Sequence, residues 1–197
     1  MSRRTLDTEQ VVDSAAELAD AEGLDAVTLT RVAERLGVRQ PALYRHVDSY
    51  DALIRALGLR GREILASRLS EAAVGLAGDD AVRAMGRAWR VMVNDHPGLY
   101  AATDRYPCAG DPELEQAVER VVAVLGQALV AYGLADDDRV HAARSMRSAL
   151  HGFAHLESGD GHPHPVDLDD SFDRLVDLLC AGIHQMVPVA QMVPVAP

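Results

Sequence analysis

Cysteine is scarce in this sequence, and long uncharged apolar runs are missing from it. The two cysteines, Cys108 and Cys180, form no CxxC pair or other spaced set, and such a pair in a cytosolic protein is usually reduced. No apolar run reaches the ~18 residues needed to cross a bilayer. The N-terminus also lacks the apolar core of a signal peptide. These absences predict a soluble protein of the cytoplasm.

The motifs of common enzyme classes are absent as well. There is no GxSxG, HExxH, GxGxxG or phosphate-binding P-loop pattern, and no Glu-x-x-His pair for a di-iron bundle. His151 and His155 have the i, i+4 spacing that can chelate a metal on a helix, but no Cys or Glu completes a recognised ligand set. The sequence therefore predicts a protein that is not an enzyme and holds no metal or cofactor.

Helical periodicity, in contrast, runs through the whole chain. Sustained alternation of apolar and polar residues is missing and aromatic residues make up only 4%, so strands are not expected. Nine helices are predicted, at residues 8–22, 28–36, 39–46, 50–74, 79–94, 97–106, 112–132, 136–157 and 167–186. The predicted fold is all-α, with a three-helix head (residues 1–52) continuous with a helical body (residues 53–186). Residues 187–197, which lie in a repeated Gln-Met-Val-Pro-Val-Ala stretch, are expected to form a flexible tail.

Several residues mark where the predicted helices begin and end. Gly23 is expected to close the first helix in a left-handed conformation, and Thr28 to cap the second. Val27 and Val32 flank that cap at the spacing of a hydrophobic staple. Asp136 is expected to cap the helix that starts there.

Charge is distributed unevenly along a chain whose net charge is −11. Residues 26–68 carry eight arginines against four acidic residues, whereas the segments on both sides are acidic. A basic segment in an acidic chain is typical of a surface that binds phosphate groups. Charge alone leaves a solvated helix face as an equally good interpretation.

The basic segment contains a helix, a tight turn and a second short helix. Residues 28–47 read TLTRVAERLGVRQPALYRHV, with Gly37 at the turn. The second helix is too short to be stable alone, so Val38, Leu43 and Val47 are expected to pack inward. The outward residues suit a nucleic-acid surface, because Arg, Gln and Tyr can bind base edges or phosphates. They are Arg39, Gln40, Ala42, Tyr44, Arg45 and His46. An ordinary helical hairpin with a polar face is the alternative.

This segment closely resembles the tetracycline-repressor (TetR) family of bacterial regulators. The resemblance covers residues 8–55 and rests on Thr28, Val32-Ala33, Gly37-Val38, Leu43-Tyr44, His46 and Leu53 in the family's spacing. It implies a DNA-binding head whose contact residues are Thr28, Arg39, Gln40, Pro41, Ala42, Tyr44, Arg45 and His46. Arg3 and Arg4 could reach the DNA as an arm. Tyr50 replaces the family's usual lysine, so its hydroxyl or the helix N-terminal amides would have to make that phosphate contact.

The remaining sequence is similar to one subfamily of TetR C-terminal domains, in which Trp or another apolar residue precedes His-Gly. The matching stretches are residues 96–100, 150–153 and 170–172, with Leu150-His151-Gly152 at the His-Gly position.

The last two predicted helices carry more apolar surface than a single bundle needs, which favours a four-helix interface in a homodimer. The predicted interface residues are Leu150, Phe153, Leu168, Phe172, Leu175 and Leu179. Gly152, which costs its helix about 1 kcal/mol of propensity, indicates a close helix approach or room for a ligand. A plain monomer core is the alternative for the same residues.

A sensor pocket for a small apolar or amphipathic molecule is expected among the helices between residues 79 and 157. Met and aromatic side chains form adaptable walls, and Arg147 or His151 could orient a polar group. The predicted lining is Met85, Trp89, Met92, Tyr100, Tyr106, Val121, Leu125, Met146, Arg147 and His151. Each of them taken singly fits an ordinary core better.

Together these features predict a homodimeric repressor that binds a palindromic double-stranded DNA operator and is released by a small-molecule effector. Effector binding would change the separation of two recognition helices, which must fit major grooves roughly 34–36 Å apart. Two other classes fit the same sequence. One is a helical small-molecule binder or enzyme that keeps the head as a scaffold, and the other is an activator that needs no small effector.

Overall fold

The computed structural model describes residues 6–106, 108–159 and 161–187, and all regular structure in these ranges is helical. It contains the α-helices α1 (Thr8–Glu22), α2 (Leu29–Arg35), α3 (Tyr50–Ala72), α4 (Gly78–Asp95), α5 (Pro97–Ala102), α6 (Pro112–Leu129), α7 (Asp136–Ser158) and α8 (Leu168–Gln185). Short 3-10 helices stand at Leu24–Ala26, Gln40–Arg45 and Val130–Tyr132. The predicted all-α fold is confirmed. Arg3, Arg4 and all but the first residue of the predicted tail lie outside the described residues.

The chain divides into two compact units. The first combines Met1–Ile64 with Asp95–Val118, and the second combines Leu65–Asn94 with Glu119–Pro197. The first unit therefore contains α1, α2 and α5, and the second contains α7 and α8. The predicted end of the DNA-binding domain at residue 52 stays a prediction.

No single helix in the described ranges is long and apolar enough to span a membrane. Pro112–Tyr132 and Asp136–Ser158 reach the length and apolar composition of a membrane span only when they are taken together, and the chain bends by 119° between them.

The core of the first unit forms where apolar residues recur at helical spacing. Val11, Ala15 and Leu18 on α1 are fully buried, as expected for one apolar stripe of a helix. Leu53 and Leu57 on α3 belong to the same hydrophobic cluster. Full burial of a Val or Leu side chain contributes roughly 1.5–3 kcal/mol, so this cluster holds helices that are too short to persist alone.

Two predicted helix caps differ from those observed. Gly23 closes α1 with a positive φ of 87°, but its ψ of 155° lies outside the left-handed helical region. The left-handed cap is therefore wrong: the chain leaves α1 extended and turns directly into Leu24–Ala26. Asp136 is the first residue of α7 rather than its cap. Its carboxylate pairs with Arg139 one turn later instead of binding the free N–H groups.

α5 approaches α1 backbone to backbone. Asp20 of α1 accepts a hydrogen bond from the N–H of Leu99 at 2.8 Å, and its second oxygen lies 2.8 Å from Nδ1 of His96. This carboxylate thus satisfies a free N–H at the start of α5. Gly98 is buried at the contact, and a Cβ atom there would overlap the backbone of Ala19.

α5 ends at Ala102, so the helix predicted to run to residue 106 is too long. Arg62 of α3 is buried and donates hydrogen bonds to the carbonyl oxygens of Gly58 and Thr103. The carbonyl of Thr103 already accepts a hydrogen bond from Arg62, so it does not need the N–H that a further turn of α5 would supply. Arg62 also lies 3.2 Å from Sγ of Cys108, which is a free thiol.

Arg90 of α4 links three helices inside the second unit. Its guanidinium binds the carboxylate of Glu157 on α7 with two hydrogen bonds, of 2.5 and 2.7 Å, and pairs with Asp169 of α8 at 2.8 Å. It also lies 5.0 Å from the ring centre of Phe172, a cation–π distance. One side chain therefore ties α4 to both of the last two helices, beside a core that includes the fully buried Met85.

Gly98→Ala is expected to destabilise the protein strongly, because the added methyl group would meet backbone atoms of α1. The free energy of unfolding should fall by about 2–3 kcal/mol or more, as at overpacked sites. Urea unfolding followed by circular dichroism measures the change.

Gly126→Ala is the matched control, because its position in α6 leaves open space for a Cβ atom among the described residues. Helix propensity should then raise stability by up to ~1 kcal/mol. Similar losses of unfolding free energy in Gly98→Ala and Gly126→Ala would contradict the close approach of α5 to α1.

Candidate nucleic-acid interface

α2 begins at the cap that the sequence predicts. Oγ1 of Thr28 accepts a hydrogen bond from the N–H of Arg31 at 3.2 Å. Val27 and Val32 are 1% and 0% exposed, as a hydrophobic staple around this cap requires. Since α2 has only seven residues, its position depends on this packing more than on its own hydrogen bonds.

A tight turn at Gly37 leads out of α2. Gly37 has a φ of 66°, a left-handed conformation that glycine adopts without steric strain. The N–H of Val38 returns to the carbonyl of Ala33 at 3.0 Å. This bond sets the direction in which the chain continues.

The recognition segment, residues 39–46, follows the turn. Its central part, Gln40–Arg45, is a 3-10 helix rather than the predicted α-helix. Pro41 is tolerated in the first turn, where no intrahelical N–H bond is needed. Six residues close few hydrogen bonds, and the tighter 3-10 winding is typical of such short pieces.

Buried side chains at the end of the recognition segment anchor it. Leu43 is fully buried and Val47 is 6% exposed, and both belong to the hydrophobic cluster of the first unit. Oγ1 of Thr8 donates to the carbonyl of His46 at 3.3 Å, which links the segment to α1. The predicted inward packing of Leu43 and Val47 is confirmed.

The eight predicted DNA-contact residues all lie outside the buried core. Tyr44 is 51% exposed. Thr28, Arg39, Pro41 and Arg45 are exposed too, while Gln40, Ala42 and His46 are half-buried. The arrangement leaves polar side chains of the recognition segment accessible to a ligand as large as DNA.

Ion pairs neutralise half of the arginines of the basic segment but none in the recognition segment, within the described residues. Four of its arginines pair with carboxylates of the same unit: Arg31 with Glu22, Arg35 with Glu17, Arg55 with Asp111 and Arg60 with Asp13. Within the described residues, Arg39 and Arg45 form no such pair. The positive charge left for a partner is therefore concentrated beside Gln40 and Tyr44.

A second set of polar contacts ties the beginning of α3 to Tyr106, Asp111 and Glu113. Arg55 donates to both oxygens of Asp111, at 2.5 and 2.7 Å, and to Glu113 at 2.7 Å. The hydroxyl of Tyr106 donates to Asp51 at 2.8 Å. The helix that follows the recognition segment is thus tied, inside the first unit, to a stretch distant in sequence.

The predicted sensor residues are divided between the two units. Six are buried in the second unit: Met85, Trp89, Met92, Val121, Leu125 and Met146. His151 is half-buried and Arg147 is exposed on α7. Tyr100, which is buried, and Tyr106 belong to the first unit. The pocket itself stays a prediction.

The predicted dimer residues differ in their exposure. Leu150 and Phe172 are each 1% exposed within their own subunit, whereas Phe153, Leu168, Leu175 and Leu179 are half-buried. Leu178, which is not among the predicted interface residues, is 71% exposed on α8. Its place one turn after Leu175 could have identified it, but periodicity alone does not separate an outer stripe from the core.

The histidine pair of α7 is in contact. The rings of His151 and His155 stack with centres 5.9 Å apart. In the part of the chain that the structure describes, no group of three or more His, Cys, Asp or Glu side chains is arranged to hold a metal ion.

A helix, a tight turn and a short recognition segment that packs against α1 and α2 define a helix-turn-helix DNA-binding protein. Residues 11–57 match the family described as bacterial regulatory proteins, tetR family. Residues 82–179 match the family described as tetracyclin repressor-like, C-terminal domain. The chain belongs to the TetR family of transcriptional regulators. Members of this family bind DNA, act as dimers and bind small molecules, and they are not enzymes. The predicted regulator function is therefore confirmed.

Relatives extend this match over most of the chain. An uncharacterised HTH-type transcriptional regulator of Mycobacterium tuberculosis, Rv0681, is 38% identical over 181 residues, which cover 91% of this chain and 83% of that protein. The structure of SCO7222, a TetR from Streptomyces coelicolor, aligns with a TM-score of 0.71 at 21% identity, covering 92% of this chain and 99% of that one. A TetR variant from Acinetobacter baumannii in complex with minocycline has a TM-score of 0.70 at 24% identity, with coverages of 92% and 98%. These two structures share the fold.

The contact between Arg55 and Asp111 predicts a pH-dependent stability. Hydrogen bonding to the Arg55 guanidinium lowers the pKa of Asp111 to about 2, below the ~3.9 of an unfolded chain. Its ionised form therefore adds stability that is fully present above about pH 4 and is lost as the pH falls toward 2. Asp111→Asn should lower stability at neutral pH, and its difference from the unsubstituted protein should shrink through that acid window.

Urea unfolding across this pH range checks the prediction. Asp25→Asn removes one negative charge from an exposed site of the same unit and serves as the control. A constant difference between Asp111→Asn and the unsubstituted protein at all pH values would argue against the ion pair.

Proposed function

We propose that this chain is a dimeric repressor, of the cytoplasm, that binds a palindromic operator through its recognition segment. A small molecule bound in the second unit would release it. The observation that carries the DNA-binding part is the charge arrangement around the recognition segment. Arg39 and Arg45 have no carboxylate partner in the described ranges, whereas Arg31 and Arg35 beside them are neutralised. Uncompensated guanidinium groups in an acidic chain favour a polyanionic partner.

The contact residues would divide between bases and phosphates. Arg39, Gln40, Pro41, Ala42 and Tyr44 would face the major groove, and Thr28, Tyr44, Arg45 and His46 the phosphates. Guanine is recognised by Arg and adenine by Gln through paired hydrogen bonds. Phosphate contacts fix orientation without reading sequence. Arg45 and Arg39 should therefore have different effects when substituted.

Arg45→Gln is expected to weaken binding to all DNA sequences alike, because it removes one phosphate contact. The slope of log affinity against log salt should fall by about 1. Fluorescence anisotropy at several salt concentrations, with operator and unrelated duplexes, measures both quantities.

Arg35→Gln is the matched control, because the charge of Arg35 is already balanced by Glu17 at 2.9 Å. It should leave the salt slope near that of the unsubstituted protein. A change of slope in the control and none in Arg45→Gln would contradict the proposed contact surface.

The operator can be sought in the DNA beside the protein's own gene. An electrophoretic shift should show one retarded complex with the dimer, and footprinting should show two half-sites related by twofold symmetry. Absence of retardation by dimeric protein would argue against the repressor.

We further propose that α7 and α8 form the dimer interface. Leu178 is 71% exposed, between the half-buried Leu175 and Leu179. Gly152 and Gly182 leave open space above the two helices among the described residues, which suits a close helix approach. Leu150 and Phe172 would support this face from inside the subunit.

Leu178→Asp is expected to convert the dimer to a monomer, because a carboxylate would be buried without a partner in the interface. Size-exclusion chromatography with light scattering gives the mass. Val74→Asp is the control, since Val74 is equally exposed, at 78%, in the loop after α3. If the Leu178→Asp variant is still a dimer, the interface does not lie at this face of α8.

The effector pocket is proposed in the second unit, where Met85, Trp89 and Met146 are buried. Adaptable Met and Trp side chains suit a small apolar or amphipathic molecule. His151 is the better polar anchor, because Arg147 is exposed. Its place before Gly152 also supports assignment to the His-Gly subfamily.

A thermal-shift screen tests the effector. Minocycline, which is bound in the Acinetobacter neighbour, is a suitable first probe within a panel of apolar and amphipathic compounds. A ligand that raises the melting temperature and also weakens operator binding would support the repressor. A ligand-independent operator complex across the panel would favour the activator.

A further inference from the structure

A hydrogen-bond chain links α2 to the recognition segment through a residue outside the predicted contact set. The hydroxyl of Thr30 donates to Oε1 of Gln40 at 3.0 Å. Nε2 of Gln40 in turn donates to the hydroxyl oxygen of Tyr44 at 3.5 Å. Thr30 is the second residue of α2, and its side chain lies at the surface. It contributes nothing to the hydrophobic cluster that holds the head together.

The chain orients the amide of Gln40. An unconstrained glutamine amide rotates about its last bond and can present either oxygen or nitrogen in a given direction. Here the oxygen is held by Thr30 and the nitrogen is directed toward Tyr44. Each amide atom still has one unused position: a lone pair on Oε1 and an N–H on Nε2.

The unused positions match one kind of base edge. Adenine offers an N6 amino donor next to the N7 acceptor in the major groove, and Gln binds both at once. An amide already oriented before DNA arrives loses less side-chain freedom on binding. Since Tyr44 accepts from Gln40, its own hydroxyl hydrogen is available to a phosphate oxygen.

We propose that Thr30 is a positioning residue that sets the operator base preference of Gln40 without contacting that base itself. The proposal rests on the proposed function, in which Gln40 faces the major groove. It also predicts that Thr30 acts on specificity and leaves the phosphate-driven affinity for DNA unchanged.

Thr30→Val tests the proposal, because valine keeps the shape and branching of threonine and removes only the hydroxyl. Binding is measured on a duplex series in which each operator base pair is varied in turn. Gln40→Ala identifies the position that Gln40 reads, where one good paired contact gives roughly 5- to 150-fold discrimination. Thr30→Val should lose most of that discrimination at this position alone. Its affinity for unrelated DNA and its salt slope should not change.

Thr30→Ser retains the hydroxyl and is the matched control, expected to keep the base preference. In a Gln40→Ala background, Thr30→Val should have no further effect on discrimination, because the two residues act as one unit. A Thr30→Val variant with unaltered preference would overturn the proposal. Equal loss on every sequence, or additivity with Gln40→Ala, would do the same.

A measurement without DNA separates this proposal from the function it rests on. Selective 15N labelling of glutamine side chains, with Gln40→Ala for assignment, reports on the Gln40 amide in the free dimer. Thr30→Val should shift the two N–H signals of Gln40, because the hydrogen bond to Oε1 is lost, and Thr30→Ser should not. If the signals respond but Gln40→Ala leaves every base preference intact, the base-reading role of Gln40 is wrong and the specificity role of Thr30 falls with it. If the signals do not respond, the positioning by Thr30 is wrong while the regulator function stands.

Discussion

Burial of Leu43 is the constraint on which the proposed DNA-binding surface depends. The recognition segment has a 3-10 helix of only six residues, and so short a helix does not persist in water on its own hydrogen bonds. Leu43 is its one fully buried side chain, placed in a cluster with residues of α1, α2 and α3. Packing in the first unit therefore determines where the polar residues on either side of Leu43 point. A change of packing in that core would therefore change the proposed DNA-binding surface as well.

Folding of the first unit also determines which positive charges are compensated. The chain has a net charge of −11, which by itself opposes binding to a polyanion. Four arginines on α2 and α3 are balanced by carboxylates that folding brings next to them, as Arg35 is by Glu17 and Arg55 by Asp111. Exposed pairs of this kind add little stability, but they remove competing positive charge from the rest of the head. What stays available is concentrated on the recognition segment.

Local pattern was sufficient to predict most of the fold. Helices α1, α4 and α7 begin and end within a residue or two of the periodic apolar stripes, because those stripes are the faces that become buried. The cap at Thr28 and the inward packing of Leu43 were also predictable, since both depend on neighbours a few residues away. The early end of α5 was not, because it depends on Arg62, some forty residues earlier. Nor was the link from Thr30 to Gln40, which exists only once the turn at Gly37 has folded.

Sequence pattern alone was enough to predict that this protein is helical, that residues 28–47 form a helix-turn-helix, and which family it resembles. These properties follow from periodicity, capping and the spacing of a few residues, all of which act over one or two helical turns. Which apolar residues are core and which are exposed became clear from the folded chain, where Phe172 is buried and Leu178 is exposed. Only the tertiary structure decided which arginines are neutralised. Burial and ion pairing join residues that are far apart in the chain, and a helical stripe looks the same in the sequence whether it faces the core of its own subunit or a second one.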